Sequence, residues 1–203
     1  MTGESGLIWI NACGKGQASN GLPDGVETMA SVLIVYFSMT GRTRPIVKEL
    51  CRTTDADIEE IREPRLREGL PGVWRALLDA MLRRRSPVLA PYNDPARYDV
   101  VLLGGPIWAG RMASPVRTFA SRYMKQARRV AFFCTAGGSK ADDAFADLQR
   151  LCGHAPCATW LVDAKHLEPE SHRAELAHFV AQATRASQSD HAGKSPHIGM
   201  RVA

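Results

Sequence analysis

Apolar positions along this chain fall in short unbroken runs, separated by stretches of helical spacing. The first run is Val32-Leu33-Ile34-Val35-Tyr36-Phe37. An apolar run of this length without alternation suits a strand buried on both faces. It breaks into Ser38-Met39-Thr40-Gly41-Arg42-Thr43, and Ile46, Val47 and Leu50 then follow on one helical face. The segment 57–61 is short and compatible with an exposed edge strand. Val73, Leu77, Leu78, Met81 and Leu82 predict a helix over 71–84. Residues 99–103 predict a second buried strand, with Gly104 following. Ser114 and Pro115 read as an N-cap and first helical position, ahead of Val116, Phe119 and Met124. A strand over 129–134, an amphipathic helix over 142–151, a strand over 159–162 and a helix over 169–184 complete the pattern.

Five strands alternating with five helices predict an α/β domain. The expected architecture is three-layered, a doubly wound five-stranded parallel sheet with helices on both faces. Right-handed crossovers leave few topologies, and the common five-strand order is 2-1-3-4-5. Ligands in such sheets bind at the carboxyl ends of the strands, near the first and third. The loops after Phe37, Leu103 and Cys134 therefore share one rim.

Each of those loops carries candidate chemistry. The first is a strand, a tight turn and a helix start, an arrangement whose N–H groups and dipole favour an anion. Ser38, Thr40 and Thr43 add three hydroxyls. A Walker loop would need a lysine and a second glycine, and a dinucleotide fingerprint would need three glycines; neither is present. A single phosphate held by hydroxyls and amides remains, beside the plainer reading of a helix joint capped by Ser38 or Thr40. The second loop is Gly104-Gly105-Pro106-Ile107-Trp108-Ala109-Gly110-Arg111. Its glycines allow close backbone approach, and Trp108 offers a flat stacking face or a hydrophobic plug over the sheet. The third, Cys134-Thr135-Ala136-Gly137-Gly138-Ser139, offers amides and hydroxyls to a polar ring edge, or forms an ordinary strand-to-helix turn.

Taken together, these segments resemble the flavodoxin family. The match rests on Ile34, Tyr36, Ser38, Gly41, Thr43 and Leu50 in the first segment, and on Gly104, Pro106, Ile107 and Trp108 in the second. It spans about residues 31–165. Val47 stands where the family usually has alanine, and Gly105 where it has a hydroxyl residue. The resemblance implies a flavodoxin-like fold and noncovalent FMN. It places Ser38, Met39, Thr40, Gly41, Arg42 and Thr43 at the 5′-phosphate. Pro106, Ile107, Trp108, Ala109 and Gly110 would stand at the ring, with the Gly110 peptide near flavin N5. Thr135, Ala136, Gly137 and Gly138 would hold the pyrimidine side. The implied function is a redox protein that passes electrons through FMN. One alternative is an FMN-dependent NAD(P)H oxidoreductase acting on quinones or other small acceptors. A non-redox alternative is a phosphate-loop binding module without flavin.

Bulk properties narrow this little. At 203 residues the chain suggests one domain, expected over 29–185, with extensions over 1–28 and 186–203 that are Gly-, Ser- and Asn-rich or polar and expected to be disordered. Met29 is read as the true start; a native protein beginning at Thr2 would refute that. No apolar stretch is long enough for a membrane span, and no secretory signal is recognised at the start, so a cytoplasmic protein is expected, monomer or homodimer. Five cysteines make an odd count without framework spacing, the pattern of reduced thiols, and no metal site is expected. The net charge of +5 raises nucleic acid as a partner, but the basic residues are scattered and no basic aromatic stripe is present. Nucleic acid is set aside. Family shuttles tend to be acidic, whereas this charge favours acidic protein partners or anionic substrates. No catalytic residue is assigned, and the electron donor is left open between a redox protein and NAD(P)H.

Overall fold

The five expected strands form one sheet. The computed structural model describes residues 30–64, 86–138, 141–167 and 169–191. The helix expected over 71–84, candidate residue Ser139 and both expected extensions, except the part that continues the last helix, lie outside them.

Strand β1 (Val32–Tyr36) leads into helix α1 (Arg44–Thr54) and strand β2 (Asp57–Glu60). After a short 3-10 turn at Pro95–Arg97 come β3 (Val100–Trp108), β4 (Arg111–Met112), α2 (Ser114–Tyr123), β5 (Val130–Ala136), α3 (Asp142–Cys152), β6 (Thr159–Asp163) and α4 (Pro169–His191). The sheet order is β2-β1-β3-β5-β6, with β4 paired to β3 alone. Every pairing on the main path is parallel. This is the expected doubly wound order, with a short antiparallel strand added.

Period-2 alternation splits the buried strands between two cores. Leu33, Val35, Leu103 and Phe132 face Val116 and Phe119 of α2 and Leu148 of α3. Ile34, Leu102 and Phe133 face Ile46 and Leu50 of α1 and Phe179 of α4. Covering both faces explains the unbroken apolar runs of β1 and β5. At the edge, β6 alternates instead: Trp160 and Val162 are buried while Thr159, Leu161 and Asp163 are exposed. Each fully buried aliphatic or aromatic side chain contributes about 1.5–3 kcal/mol.

Four local expectations change. Edge strand β2 is less exposed than its composition suggests. Glu59 is buried because its Oε2 accepts the backbone N–H groups of Tyr92 and Asn93, each at 3.1 Å. Strand β3 does not stop at Leu103 but runs through the glycine-rich segment to Trp108, where it folds back into β4. Ser114 is the first residue of α2 rather than its cap; its hydroxyl meets Ser86 Oγ at 2.6 Å. Helix α4 continues past Thr184 to His191. Among the described cysteines, Cys134, Cys152 and Cys157 are free, whereas Cys51 is disulfide-bonded, which corrects the expectation of reduced thiols throughout.

Candidate functional site

Three strands deliver their following loops to the same rim, and the loops enclose a cleft. At the end of β1, Phe37 N–H donates to Gly104 O at 3.1 Å, tying the first loop to β3. The chain then turns into α1, whose first residues hold Pro45, a residue suited to a helix start because it lacks an N–H. Thr43 occupies the N-cap position but its side chain caps nothing. Its backbone N–H donates to Ser38 Oγ at 3.3 Å. Its hydroxyl, in a residue only 1% exposed, lies 3.5 Å from Thr135 Oγ1 on β5. That contact joins the first loop to the third. The plainer reading, a helix capped by Ser38 or Thr40, is not what the geometry shows. Ser38 braces the loop, and the first turn of α1 carries no acidic residue to fill its positive end.

The two arginines of this loop behave differently. Arg44 is spent on Glu60 of β2, with Nη2 to Oε1 at 3.1 Å. Burial, then the neighbouring Glu60 carboxylate, pushes the Tyr36 phenol well above its usual range, so Tyr36 stays neutral. Arg42 is exposed and lines the cleft.

The second wall comes from the β3–β4 hairpin. Ile107 pairs with Met112 and Trp108 with Arg111, leaving Ala109-Gly110 as a two-residue turn. Trp108 is half-buried and meets Phe37 edge-on, with ring centroids 5.9 Å apart and an interplanar angle of 86°. It therefore packs against the first loop and still faces the cleft. The missing hydroxyl at Gly105 has a steric cause. A Cβ there would stand 2.9 Å from Val116 Cγ2 and 3.2 Å from Phe37 O, so the site is already filled by α2 and the first loop. The third wall follows β5. Beneath it Cys134 is fully buried, and burial pushes its thiol up to about 12.

The cleft holds about 420 Å³, within the roughly 300–1,000 Å³ of small-molecule sites. Ser38, Met39, Thr40, Arg42 and Thr43 line one end; Pro106, Ile107 and Trp108 one side; Thr135, Ala136 and Gly137 the other. Of the residues expected at the site, Gly41, Ala109, Gly110 and Gly138 do not line it. All four have positive φ, at +81°, +47°, +74° and +92°. They shape the turns whose neighbours form the walls. Ala164 lines the cleft and was not anticipated. It follows β6, and its N–H donates to Ala136 O at 2.9 Å, extending the third wall. A lone alanine carries no sequence signal for such a role. Among the described residues no group of three metal-capable side chains gathers anywhere. Nor is any described helix long and apolar enough to cross a membrane.

A family model described as flavodoxin matches residues 31–183. The structure is similar to a flavoprotein in complex with FMN from Lactobacillus acidophilus, at 18% identity and a TM-score of 0.59, covering 73% of this chain and 99% of that one. It is also similar to a putative flavoprotein from Bacteroides eggerthii, at 22% identity and a TM-score of 0.61, covering 74% of this chain and 98% of that one. A third similarity is to rubredoxin oxygen:oxidoreductase from Desulfovibrio gigas, at 15% identity and a TM-score of 0.53; it covers 80% of this chain and 37% of that one.

Proposed function

This chain belongs to the flavodoxin family, and we propose that it binds FMN noncovalently in the rim cleft and passes electrons through it. The observation that carries the reading is the division of one cleft into two chemistries. One end offers hydroxyls, an acid-free helix start and the Arg42 guanidinium; the other offers an indole face. A phosphate at one end of a flat aromatic ring system is what such a cleft suits. The neighbour from Lactobacillus acidophilus, whose structure is a complex with FMN, supports the same ligand.

The residues present fit the group. Thr40, Thr43 and the amides of the first loop would hold the phosphate, each charge-assisted hydrogen bond contributing about 1.5–3 kcal/mol. Arg42 would add an exposed charge. Trp108, braced by Phe37, would set the ring's plane, and Thr135 to Gly137 would face its other side. When bound, FMN supplies one- and two-electron redox chemistry, and the chain supplies orientation and electrostatics. Either a redox protein or reduced nicotinamide would exchange electrons with it.

The test is the visible spectrum of the purified protein after incubation with FMN and desalting. A retained flavin spectrum is expected, and none in a folded sample refutes the reading. Thr40→Val with Thr43→Val then checks the polarity of the cleft. Losing both hydroxyls should weaken FMN and spare riboflavin, which lacks the phosphate; equal loss of both ligands would mean the phosphate end is misassigned.

A further inference from the structure

The two edges of the sheet are finished differently. Strand β2 is acidic, with Asp57, Glu59 and Glu60 among its four residues. Later chain lies against it: Tyr92 and Asn93 donate to Glu59, and Leu89 N–H donates to Arg62 O just past the strand. At the other edge β6 pairs with β5 alone among the described strands. Edge strands are commonly blunted by lysine or proline. Strand β6 reads Thr159-Trp160-Leu161-Val162-Asp163 and holds neither. Its Leu161 is 40% exposed, although it lies in the middle of the strand. On the other face a groove of about 390 Å³ opens between β6 and α4, lined by Trp160 and Phe179 among others.

The ladder fixes which backbone groups of β6 face outward. Phe132 N–H donates to Ala158 O at 3.0 Å, and Ala164 N–H donates to Ala136 O at 2.9 Å. Backbone groups of successive strand residues point to opposite sides. Trp160 and Val162 therefore turn theirs to β5, while Thr159, Leu161 and Asp163 turn theirs out. No hydrogen bond among the described residues takes up the N–H of these three. Asp163 O accepts His166 N–H at 3.1 Å.

These three positions are symmetric about Leu161. A second copy laid antiparallel, with Leu161 opposite Leu161, sets Thr159 opposite Asp163 and Trp160 opposite Val162. Leu161 then exchanges both of its backbone hydrogen bonds with its counterpart, and each Asp163 N–H reaches a Thr159 carbonyl. The side chains match as well. Exposed leucine covers exposed leucine, an aromatic ring meets a β-branched side chain, and the strand's one carboxylate meets a hydroxyl. Centred in the same way, β2 would set Asp57 against Glu60, and like charges directly opposite repel.

We propose that the outer edge of β6 is the contact surface for a second copy of this chain, paired antiparallel about a two-fold axis at Leu161. Such a contact is isologous, the form that closes as a dimer, and it adds a strand to a strand. It has a consequence for the cleft. Ala164, next after β6, lines the cleft, so the cleft lies at the carboxyl end of the pairing strand. Antiparallel pairing sends the two carboxyl ends in opposite directions. The two clefts then open at opposite ends of the dimer, and a partner at one does not obstruct the other.

The full chain is examined by sedimentation velocity across micromolar concentrations, where a monomer–dimer equilibrium is expected. Leu161→Lys sets two cations against each other at the axis. It should raise the dimer dissociation constant about tenfold or more, with unchanged circular dichroism. A wild type that stays monomeric throughout, or an unchanged constant in Leu161→Lys, overturns the proposal. Should that variant fail to fold, cross-linking decides. Hydrogen-bonded antiparallel partners stand about 5.5 Å apart at Cα, within the roughly 4.4–6.8 Å that a disulfide spans. Under mild oxidation Leu161→Cys should give a covalent dimer whose bridge maps by mass spectrometry to position 161 in both copies. Thr159→Cys, displaced from the axis, should give no bridge between its two copies. Equal yields from the two variants, or none from Leu161→Cys, overturn the proposal. A monomer in which Leu161→Cys resists alkylation means that another part of the same chain covers the edge, and overturns it too.

Discussion

Replacing Ala109 by asparagine tests whether one wall of the cleft is held by a strained turn. Ala109 and Gly110, at φ +47° and +74°, are the two residues between the paired Trp108 and Arg111. A two-residue hairpin loop with positive φ at both positions is type I′, and its favoured sequence is Asn-Gly. Alanine in the left-handed region crowds its Cβ against the following carbonyl, at a cost of about 1–2 kcal/mol. Glycine would relieve that crowding but lose about 0.5–1 kcal/mol of backbone entropy. Asparagine tolerates the conformation and keeps the stiffer unfolded chain. Because Ala109 is exposed, no packing is lost in either exchange. The expected gain is about 1 kcal/mol for Ala109→Asn and about half that for Ala109→Gly. For a domain of this size 1 kcal/mol moves Tm by about 2–4 °C. Ala109→Val, β-branched, should lose at least as much as asparagine gains. Urea unfolding followed by circular dichroism, with unchanged slope, measures all four proteins. The order Asn, Gly, Ala, Val is expected. Asparagine below alanine, or valine level with it, would refute the left-handed turn and with it the placement of Trp108.

Three further outcomes follow from the same geometry. Arg42→Gln should weaken FMN about 2–5-fold at low salt, the scale of an exposed ion pair, and hardly at all at high salt; Arg44→Gln should not copy this, since Arg44 is tied to Glu60. Flavin fluorescence titrations at two salt concentrations check it, and identical behaviour of the two variants would refute the division between the arginines. Asp147 of α3 holds Arg117 of α2 at 2.6 Å and Arg150 of its own helix at 2.7 Å, with Arg117 and Asp147 both buried. Asp147→Asn should cost about 3–5 kcal/mol in denaturant unfolding, and Arg117→Met with Asp147→Leu should recover most of it; a loss under 1 kcal/mol would sink the claim. Finally, burial pushes the Cys134 and Cys152 thiols up to about 12, so at pH 8 only about one molecule in ten thousand carries either thiolate. Iodoacetamide on the native protein, followed by mass spectrometry, should label half-buried Cys157 before Cys134 and Cys152; early labelling of Cys134 would contradict its burial.

Fold and site were legible to different depths, for physical reasons. Strands β1, β5 and β6 announce themselves because burial on both faces or regular alternation writes a local pattern. The continuation of β3 through Gly104 to Trp108 does not. Glycine and proline there read as a loop, yet Gly105 pairs with Cys134 and Pro106 with Thr135 in the sheet. Tertiary packing overrides local propensity at that point. The hairpin was hidden for a related reason. Ala109-Gly110 lacks the Asn-Gly or Asp-Gly signal, and only the pairing of Trp108 with Arg111 reveals the turn. Ser114 looked like a cap because caps are read from residue type, whereas its partner, Ser86, lies 28 positions away.

The site shows the same division between local and distant contacts. Its hydroxyl end was readable because the contact that braces it, Thr43 N–H to Ser38 Oγ, spans only 5 positions. The join to the third loop spans 92 positions, through Thr43 and Thr135, and no local pattern encodes it. Charge is the clearest case of a bulk number that misleads about a site. The chain carries +5, yet Arg44, Arg117, Arg128 and Arg150 are each bound to a carboxylate. Within the cleft only Arg42 remains among the described residues. Net charge governs how partners approach from a distance, whereas a guest already at the rim meets, among the described residues, one guanidinium at the hydroxyl end and an uncharged indole along one side.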